Sequence, residues 1–539
     1  MVQEEPPIVR RVREGAVGDG GGLPGPFGVR PLVYADHTAS GRVLGFVEDF
    51  IRAQVMPWYA NTHTEASATG RRTTALREQA RRLVREAAGG GDEHAVIFCG
   101  SGSTAAIDKL RRMLAPAVVF IGPYEHHSNE LPWRESGAEV VRVAPDRLEA
   151  ALRHHQGRGA LVGSFSAGSN VTGVRTDVDA VSDLLHRHGA LACWDYAAAG
   201  PHGDLRMAGD GRFPLGHRDA IFLSPHKFPG GPGTPGVLVV RRDLARNAVP
   251  TVPGGGTIVY VHDGAAYYLD DVEHREEGGT PAIIESIRAG LVMQLHRAVG
   301  DEVIREREDG YVRRALASWR RNRAIEVLGD PEADRLPIVS FVVHGPGGRL
   351  LHHNFVVALL SDLFGIQARG GCSCAGPYGH ELLRIGPDRA RRLAAQAVAG
   401  RLGVKPGWAR VSFAYYLSEE QFDYIVEAVH LIATYGARIQ GEYRFDVYCG
   451  QWSHRAAPAP ADGLAGVSYD ATGVLVHADG LLEVPNPDLE GLLRVGREIL
   501  TAAPHGGGPG PSPAVLPDAA EDLRWFDLPA ACLDGVAPG

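Results

Sequence analysis

Ala220-Ile221-Phe222-Leu223-Ser224-Pro225-His226-Lys227 is an apolar run that breaks into a proline turn carrying a hydroxyl, an imidazole and an amine, and a glycine-crowded stretch follows it. Four apolar residues closed by a turn signal suit a strand buried on both faces. A lysine ending such a strand is poised to bind a carbonyl cofactor covalently, while Ser224 and His226 beside it hold an anionic group such as a phosphate. That is the chemistry of pyridoxal phosphate (PLP).

Outward from this stretch, short apolar runs alternate with longer segments of helical period. The runs are Ala95 to Cys99, Val118 to Ile121, Ala160 to Phe165, Ala190 to Trp194, Ala220 to Leu223 and Gly236 to Val240. The alternation predicts an α/β domain with a mostly parallel sheet covered by helices. Ligands of open α/β sheets sit beyond the carboxyl ends of the strands. The turns to read are therefore Gly100 to Thr104, Glu125 to Asn129, Ser166 to Gly173, Asp195 to His202 and Ser224 to Lys227, each polar, glycine-rich or carrying His, Asp or Lys.

The chain has 539 residues, 44% of them hydrophobic, enough for two or three cores. Residues 1–30 read as a flexible arm and residues 31–300 as the large cofactor-binding domain together with the N-terminal part of a smaller one. Residues 301–443 read as that smaller α+β domain, with strands in Arg335 to Val343 and Trp408 to Tyr416. Residues 444–539 form an extension whose runs Ala456 to Gly463 and His505 to Leu516 look like linkers. The net charge of −9, without basic stripes, argues against nucleic acid or a membrane surface as partner. No stretch of about 18 apolar residues and no apolar leader is present, which suggests a cytoplasmic protein. Six cysteines in so long a chain form no disulfide framework, so a special cysteine is expected to be reactive.

Taken together, the turns resemble the fold-type I, class V aminotransferase family, and within it the cysteine desulfurases and selenocysteine lyases, over roughly residues 31 to 435. The resemblance implies that Ser103 and Thr104 bind the PLP phosphate at a helix start, where backbone N–H groups favour an anion. It implies that His126 stacks on the pyridine ring, that Asp195 pairs with the pyridine nitrogen and that Asn170 lies near the phenolic oxygen. Ser224 and His226 match phosphate contacts, and Lys227 the covalent lysine. Thr280, in Gly278-Gly279-Thr280-Pro281, matches a turn that reaches the phosphate of a neighbouring subunit, implying a homodimer with shared active sites. One departure stands out: Ala198 replaces a glutamine that contacts the phenolic oxygen.

Arg369-Gly370-Gly371-Cys372-Ser373-Cys374-Ala375 resembles the desulfurase segment in which an arginine precedes the nucleophilic cysteine by five residues. The match selects Cys374, with Arg369 helping to lower its pKa and steer an anionic substrate. Cys372 is a resolving thiol, a second sulfur carrier or incidental. Arg410 resembles the arginine that clamps the substrate carboxylate, for which a guanidinium fork is suited. Between Cys374 and Arg410 an Arg-rich helix, Arg389 to Leu402, extends the chain beyond typical members. The function implied is conversion of L-cysteine to L-alanine with a persulfide on Cys374, passed to an acceptor protein. No metal is expected. The alternatives are an aminotransferase, epimerase or lyase acting on another amino acid, selenocysteine included, or a non-catalytic scaffold that kept the fold.

Overall fold

In the central sheet, alternate residues of each strand feed two different cores. The computed structural model describes residues 5–203, 205–459, 463–477, 480–484, 486–503, 516 and 518–533. Its seven strands are β1 (His94–Cys99), β2 (Val118–Ile121), β3 (Glu139–Arg142), β4 (Leu161–Ser166), β5 (Leu191–Asp195), β6 (Ala220–Leu223) and β7 (Gly236–Arg241), in the spatial order β1-β7-β6-β5-β4-β2-β3. Val96, Phe120, Trp194, Ile221 and Val239 face the helices Ala68–Ala87, Val178–Arg187 and Ile283–Val299. Their neighbours Ile97, Val119, Cys193, Phe222 and Leu238 face the helix Gly102–Leu114. Both faces are covered, which is why the strands read as continuous apolar runs.

The six apolar runs are all strands, and the fold is the α/β arrangement read from the sequence. Two features differ in detail. β7 runs antiparallel to both β1 and β6, because the glycine-rich connection from Lys227 holds no crossover helix and the chain can only double back. β3 adds a parallel edge strand beside β2, and its sequence Glu-Val-Val-Arg is too short and too charged to stand out.

The smaller domain is built on an antiparallel sheet of β8 (Ile325–Val327), β9 (Ile338–Val343), β10 (Arg369–Gly371) and β11 (Trp408–Ser412), ordered β8-β9-β11-β10. Helices Asp301–Trp319, His353–Phe364 and Glu419–Tyr435 bury their apolar faces on it. Val33–Tyr34 pairs in parallel with Ile366–Gln367, and Ala35 accepts a hydrogen bond from the Ser412 N–H at 2.8 Å. The chain therefore enters through the smaller domain before building the larger one.

Residues 1–30 are not an arm where they are described. Helix Pro7–Glu14 buries Val9 and Val12 against Leu44, Ile51 and Ile287, and Gly21–Gly25 pairs with Gly28–Pro31 as a hairpin. The extension also folds onto the smaller domain. Helix Leu489–Ala502 contributes Leu489 and Leu500, and the final segment contributes Leu523, Phe526 and Leu528, to its core. The Arg-rich helix between the cysteines and Arg410 spans Pro387–Val398 and docks on that segment through Arg392 and Asp522 (3.1 Å) and Arg389 to the Leu523 carbonyl (3.2 Å). Of the two linker-like runs, residues 460–462 and 505–515 lie outside the described residues. No described helix is long and apolar enough to cross a membrane.

Phe526 is fully buried, edge-on to His352 with ring centroids 4.6 Å apart. Truncating such a ring costs about 3 to 5 kcal/mol. Phe526→Ala is therefore expected to lower the urea midpoint of the smaller domain clearly. An unchanged midpoint in a urea titration would show that the extension hangs free.

Candidate active site

Because β2, β4, β5 and β6 run the same way, the turns that follow them meet at one edge of the sheet. They enclose a cavity of about 480 Å³ lined by Ser103, Thr104, His126, Asn170, Asp195, Ser224, His226 and Lys227, and by Ala198. Eight of the twelve residues selected from the sequence thus converge. Arg369, Cys374 and Thr280 lie off the cavity wall, as does Arg410.

At one end the helix Gly102–Leu114 points its first N–H groups into the cavity. The Ser103 N–H donates to the Ser224 hydroxyl at 2.9 Å, and the Thr104 hydroxyl donates to that of Ser128 at 2.7 Å. Gly102 has φ +56°, and a Cβ there would come within 3.0 Å of Ser224 Oγ and 3.2 Å of His226 Cε1. Only glycine leaves this cradle open. Burial, then the Lys227 charge, pulls His226 down to about 4, so it offers neutral N–H and N groups. Hydroxyls, backbone N–H groups and a neutral imidazole suit a phosphate.

In the middle of the cavity a buried carboxylate, Asp195, shares the space with a buried amine. Burial pushes the Asp195 carboxyl up, opposed by the Ala197 N–H (2.8 Å) and the Lys227 charge. Burial likewise pulls the Lys227 amine down to about 8, with Asp195 resisting and Arg410 and Arg369 adding to the fall. His126 is held near 3 by burial first and then by Lys227, and its Nδ1 accepts from the Ser128 N–H at 3.1 Å, so its proton sits on Nε2. Behind it Glu125, pushed up to about 7 by burial, accepts from the Ser166 N–H (2.9 Å), the Ser166 hydroxyl (2.6 Å) and Asn129 Nδ2 (2.7 Å). A flat neutral ring, a buried carboxylate and a neutralisable amine around a phosphate cradle are the donor set that pyridoxal phosphate requires.

The smaller domain packs beside the cavity through Asn170. Arg410 is buried on β11, donating to the Asn170 carbonyl at 2.9 Å and to Asp36 Oδ1 at 2.9 Å. Arg369 is its direct partner across β10 and β11 and donates to Asp36 Oδ2 at 3.0 Å. One carboxylate thus holds both guanidiniums. The cysteine turn is fixed to the cavity turns: Asn170 Nδ2 donates to the Ser373 carbonyl (2.8 Å), the His127 N–H to the Cys374 carbonyl (2.8 Å), and the Gly376 N–H to His127 Nε2 (3.0 Å). Cys374 is exposed, whereas Cys372 packs against Val171, Val342 and Trp408. Thr280 is exposed and bonded to Asn61 (3.3 Å), away from this cavity.

A sequence profile described as Aminotransferase class-V matches residues 33–425. The chain belongs to this family. Its members are PLP-dependent. A cysteine desulfurase of Klebsiella pneumoniae is 28% identical over 422 residues, covering 75% of this chain and 94% of that protein. A probable cysteine desulfurase of Halobacterium salinarum is 26% identical over 418 residues, covering 75% and 92%. Among solved structures, the apo cysteine desulfurase of Thermococcus onnurineus superposes with a TM-score of 0.63 at 23% identity, covering 75% of this chain and 95% of that one. The Escherichia coli desulfurase CsdA, in its S-sulfonic acid form, gives 0.60 at 21% identity, covering 78% and 97%. These two show the shared fold.

Asp36 was not among the residues selected from the sequence. Its signal is a polar run, Asp36 to Ser40, directly after the apolar Val33-Tyr34-Ala35, but its partners are more than three hundred residues away. Asp36→Asn leaves two cationic side chains facing each other, one of them buried. Breaking a buried pair costs about 3 to 5 kcal/mol, less here because Arg369 is half exposed. A lowered thermal midpoint together with a raised substrate KM is the expected result, and wild-type values for both would remove Asp36 from the site.

The depressed Lys227 amine also sets a pH dependence. Its neutral form accumulates above about 8 instead of 10.5. The rate at which apo-protein takes up PLP, followed by the visible absorbance of the bound cofactor, is expected to rise with pH and level off above about 8. A rate still climbing toward 10.5 would contradict the burial of this amine.

Proposed function

We propose that this protein is a PLP-dependent cysteine desulfurase-like enzyme that converts L-cysteine to L-alanine and leaves the sulfur as a persulfide on Cys374. The observation that carries the reading is the exposed Cys374, fixed through His127 and Asn170 to the turns of the cofactor cavity. Ser103, Thr104, Ser224 and His226 would hold the phosphate, Asp195 the pyridine nitrogen, His126 the ring face and Lys227 the carbonyl carbon. Bound there, the cofactor supplies an electron sink for bonds at the substrate α-carbon. Arg410 offers its guanidinium to the substrate carboxylate, with Arg369 adding positive charge at the entrance. The Lys227 amine moves protons at the α-carbon. The Cys374 thiolate attacks the substrate sulfur, so that a carbon–sulfur bond breaks, a sulfur–sulfur bond forms and the β-carbon gains a proton.

A second copy of the chain would complete the site. The hairpin of Ile258–His262 and Ala265–Tyr268 exposes Val259, Tyr260 and Tyr267, all more than half accessible, and Thr280 lies exposed nearby in sequence. Apolar side chains so displayed favour burial against a partner, from which Thr280 would reach the phosphate in the other subunit.

A second reading rests on Ala198. It sits on the cavity wall and supplies no side-chain hydrogen bond where the family resemblance called for a glutamine, and it leaves room for another amino acid, selenocysteine among them.

Purified holoenzyme given L-cysteine and a reductant is expected to yield alanine and sulfide in equal amounts. Cys374→Ala should lose at least about a hundredfold of this turnover, the scale of a missing nucleophile. Full turnover by Cys374→Ala, or no alanine from cofactor-loaded wild type, would transfer the assignment to the second reading.

A further inference from the structure

The turn that carries Cys374 has an unusual backbone. The Ala375 N–H donates to the Cys372 carbonyl at 3.1 Å, closing a β-turn over residues 372–375, and its two central residues, Ser373 and Cys374, have φ of +49° and +56°. Positive φ at both central positions defines a type I′ turn, which ordinarily takes Asn and Gly. Here it is imposed on a serine and a cysteine and held by the bonds from Asn170 and His127 to the Ser373 and Cys374 carbonyls.

The backbone geometry sets the Cα spacing of the two cysteines within the range of disulfides. A residue of left-handed helical conformation separates its two neighbouring Cα atoms by about 5.4 Å, as helix geometry requires. Disulfides join Cα atoms about 5.5 to 6 Å apart. An extended Ser373 would carry the pair toward the far limit of that range. Access to the two thiols also differs. Cys374 is exposed, and Cys372 is half-buried against Val171, Val342 and Trp408. Small molecules in the site therefore meet Cys374 first, and Cys372 is served by the neighbour held beside it.

We propose that Cys372 is the resolving thiol of Cys374, so that the sulfur leaves as free hydrosulfide. The inference rests on the desulfurase reading. The Cys372 thiolate attacks the Sγ of the Cys374 persulfide, the sulfur–sulfur bond breaks, and the outer sulfur departs with the electron pair as hydrosulfide. The outer sulfur is reduced, and the two cysteine thiols are oxidised to a Cys372–Cys374 disulfide. An external thiol reductant restores both thiols by a two-electron exchange. The reaction is intramolecular, which favours it over capture of the persulfide by a dilute acceptor. The enzyme then delivers sulfide only as fast as reductant reopens the turn.

The test is a single turnover. Holoenzyme, reduced and then freed of reductant, receives one equivalent of L-cysteine, and wild type is compared with Cys372→Ser. Alanine, sulfide and the mass of the peptide spanning residues 372–374 are measured. Wild type is expected to give one sulfide per alanine and a peptide two hydrogens lighter than the reduced form. Cys372→Ser is expected to give the same alanine, which certifies its fold, with little sulfide and a peptide heavier by one sulfur. A wild-type peptide that keeps the extra sulfur, or sulfide released equally fast by Cys372→Ser, overturns the proposal and leaves the desulfurase reading standing. Absence of alanine from both proteins overturns that reading and this step with it.

Discussion

Asp195 and Lys227 share one cavity because the strands that deliver them, β5 and β6, lie side by side and run in the same direction. Two opposite charges taken out of water are costly apart and tolerable together. Burial drives each toward its neutral form, and each resists the shift in the other. The arrangement is poised for a third group that carries a cationic N–H for the carboxylate and a carbonyl for the amine. The other cavity residues follow from the same constraint. Strands that run together end together, so their turns can contribute hydroxyls, an imidazole and backbone N–H groups around one ligand.

The smaller domain is tied to this edge by packing of Leu336 and Ile338 and by directional polar contacts. Asp36 holds Arg410 and Arg369 together, and Arg410 in turn holds the Asn170 carbonyl, so the chain's entry strand, the smaller sheet and a cavity turn meet at one carboxylate. Asn170 also holds the Ser373 carbonyl. A substrate that engages Arg410 therefore touches a group already coupled to the cysteine turn. On the proposed function, positioning of the substrate carboxylate and of the thiol would fall to the same residues.

The cavity was legible in the sequence because its residues follow apolar runs directly, and the chain's local order predicts where a buried strand must end. Lys227 stands out from local order alone, and Asp195 and Ser103 lie in turns which that order selects, their roles being implied by the family resemblance. Asp36 did, since its role depends on partners brought in by the last strand of the smaller sheet. The reversed direction of β7 depends on the lack of a crossover, which composition does not display. The packing of residues 1–30, expected to be an arm, and the core contacts of the extension are hidden for a related reason. Their glycines and prolines are true turn signals, yet the apolar residues between them, such as Val9, Val12 and Phe526, find their cores on segments remote in sequence.

The extension does more than fill a core. His353 lies buried under β10, where a Cβ on Gly370 would approach its ring to 3.1 Å and one on Gly407 to 2.8 Å. Two glycines thus let the strands that lead to the cysteine turn and to Arg410 close over an imidazole. Burial holds both His352 and His353 well below the ordinary imidazole range, so the pair packs as neutral flat rings. Trp525 stacks on His353 with planes 7° apart and donates its indole N–H to the Val404 carbonyl at 3.1 Å. The far end of the chain therefore backs the strand that carries Arg369, three residues before the turn begins at Cys372. A type I′ turn on non-glycine residues stores strain, and strain persists only where the surroundings are stiff. The extension, docked on the helix Pro387–Val398, packs behind the strand that leads into this turn.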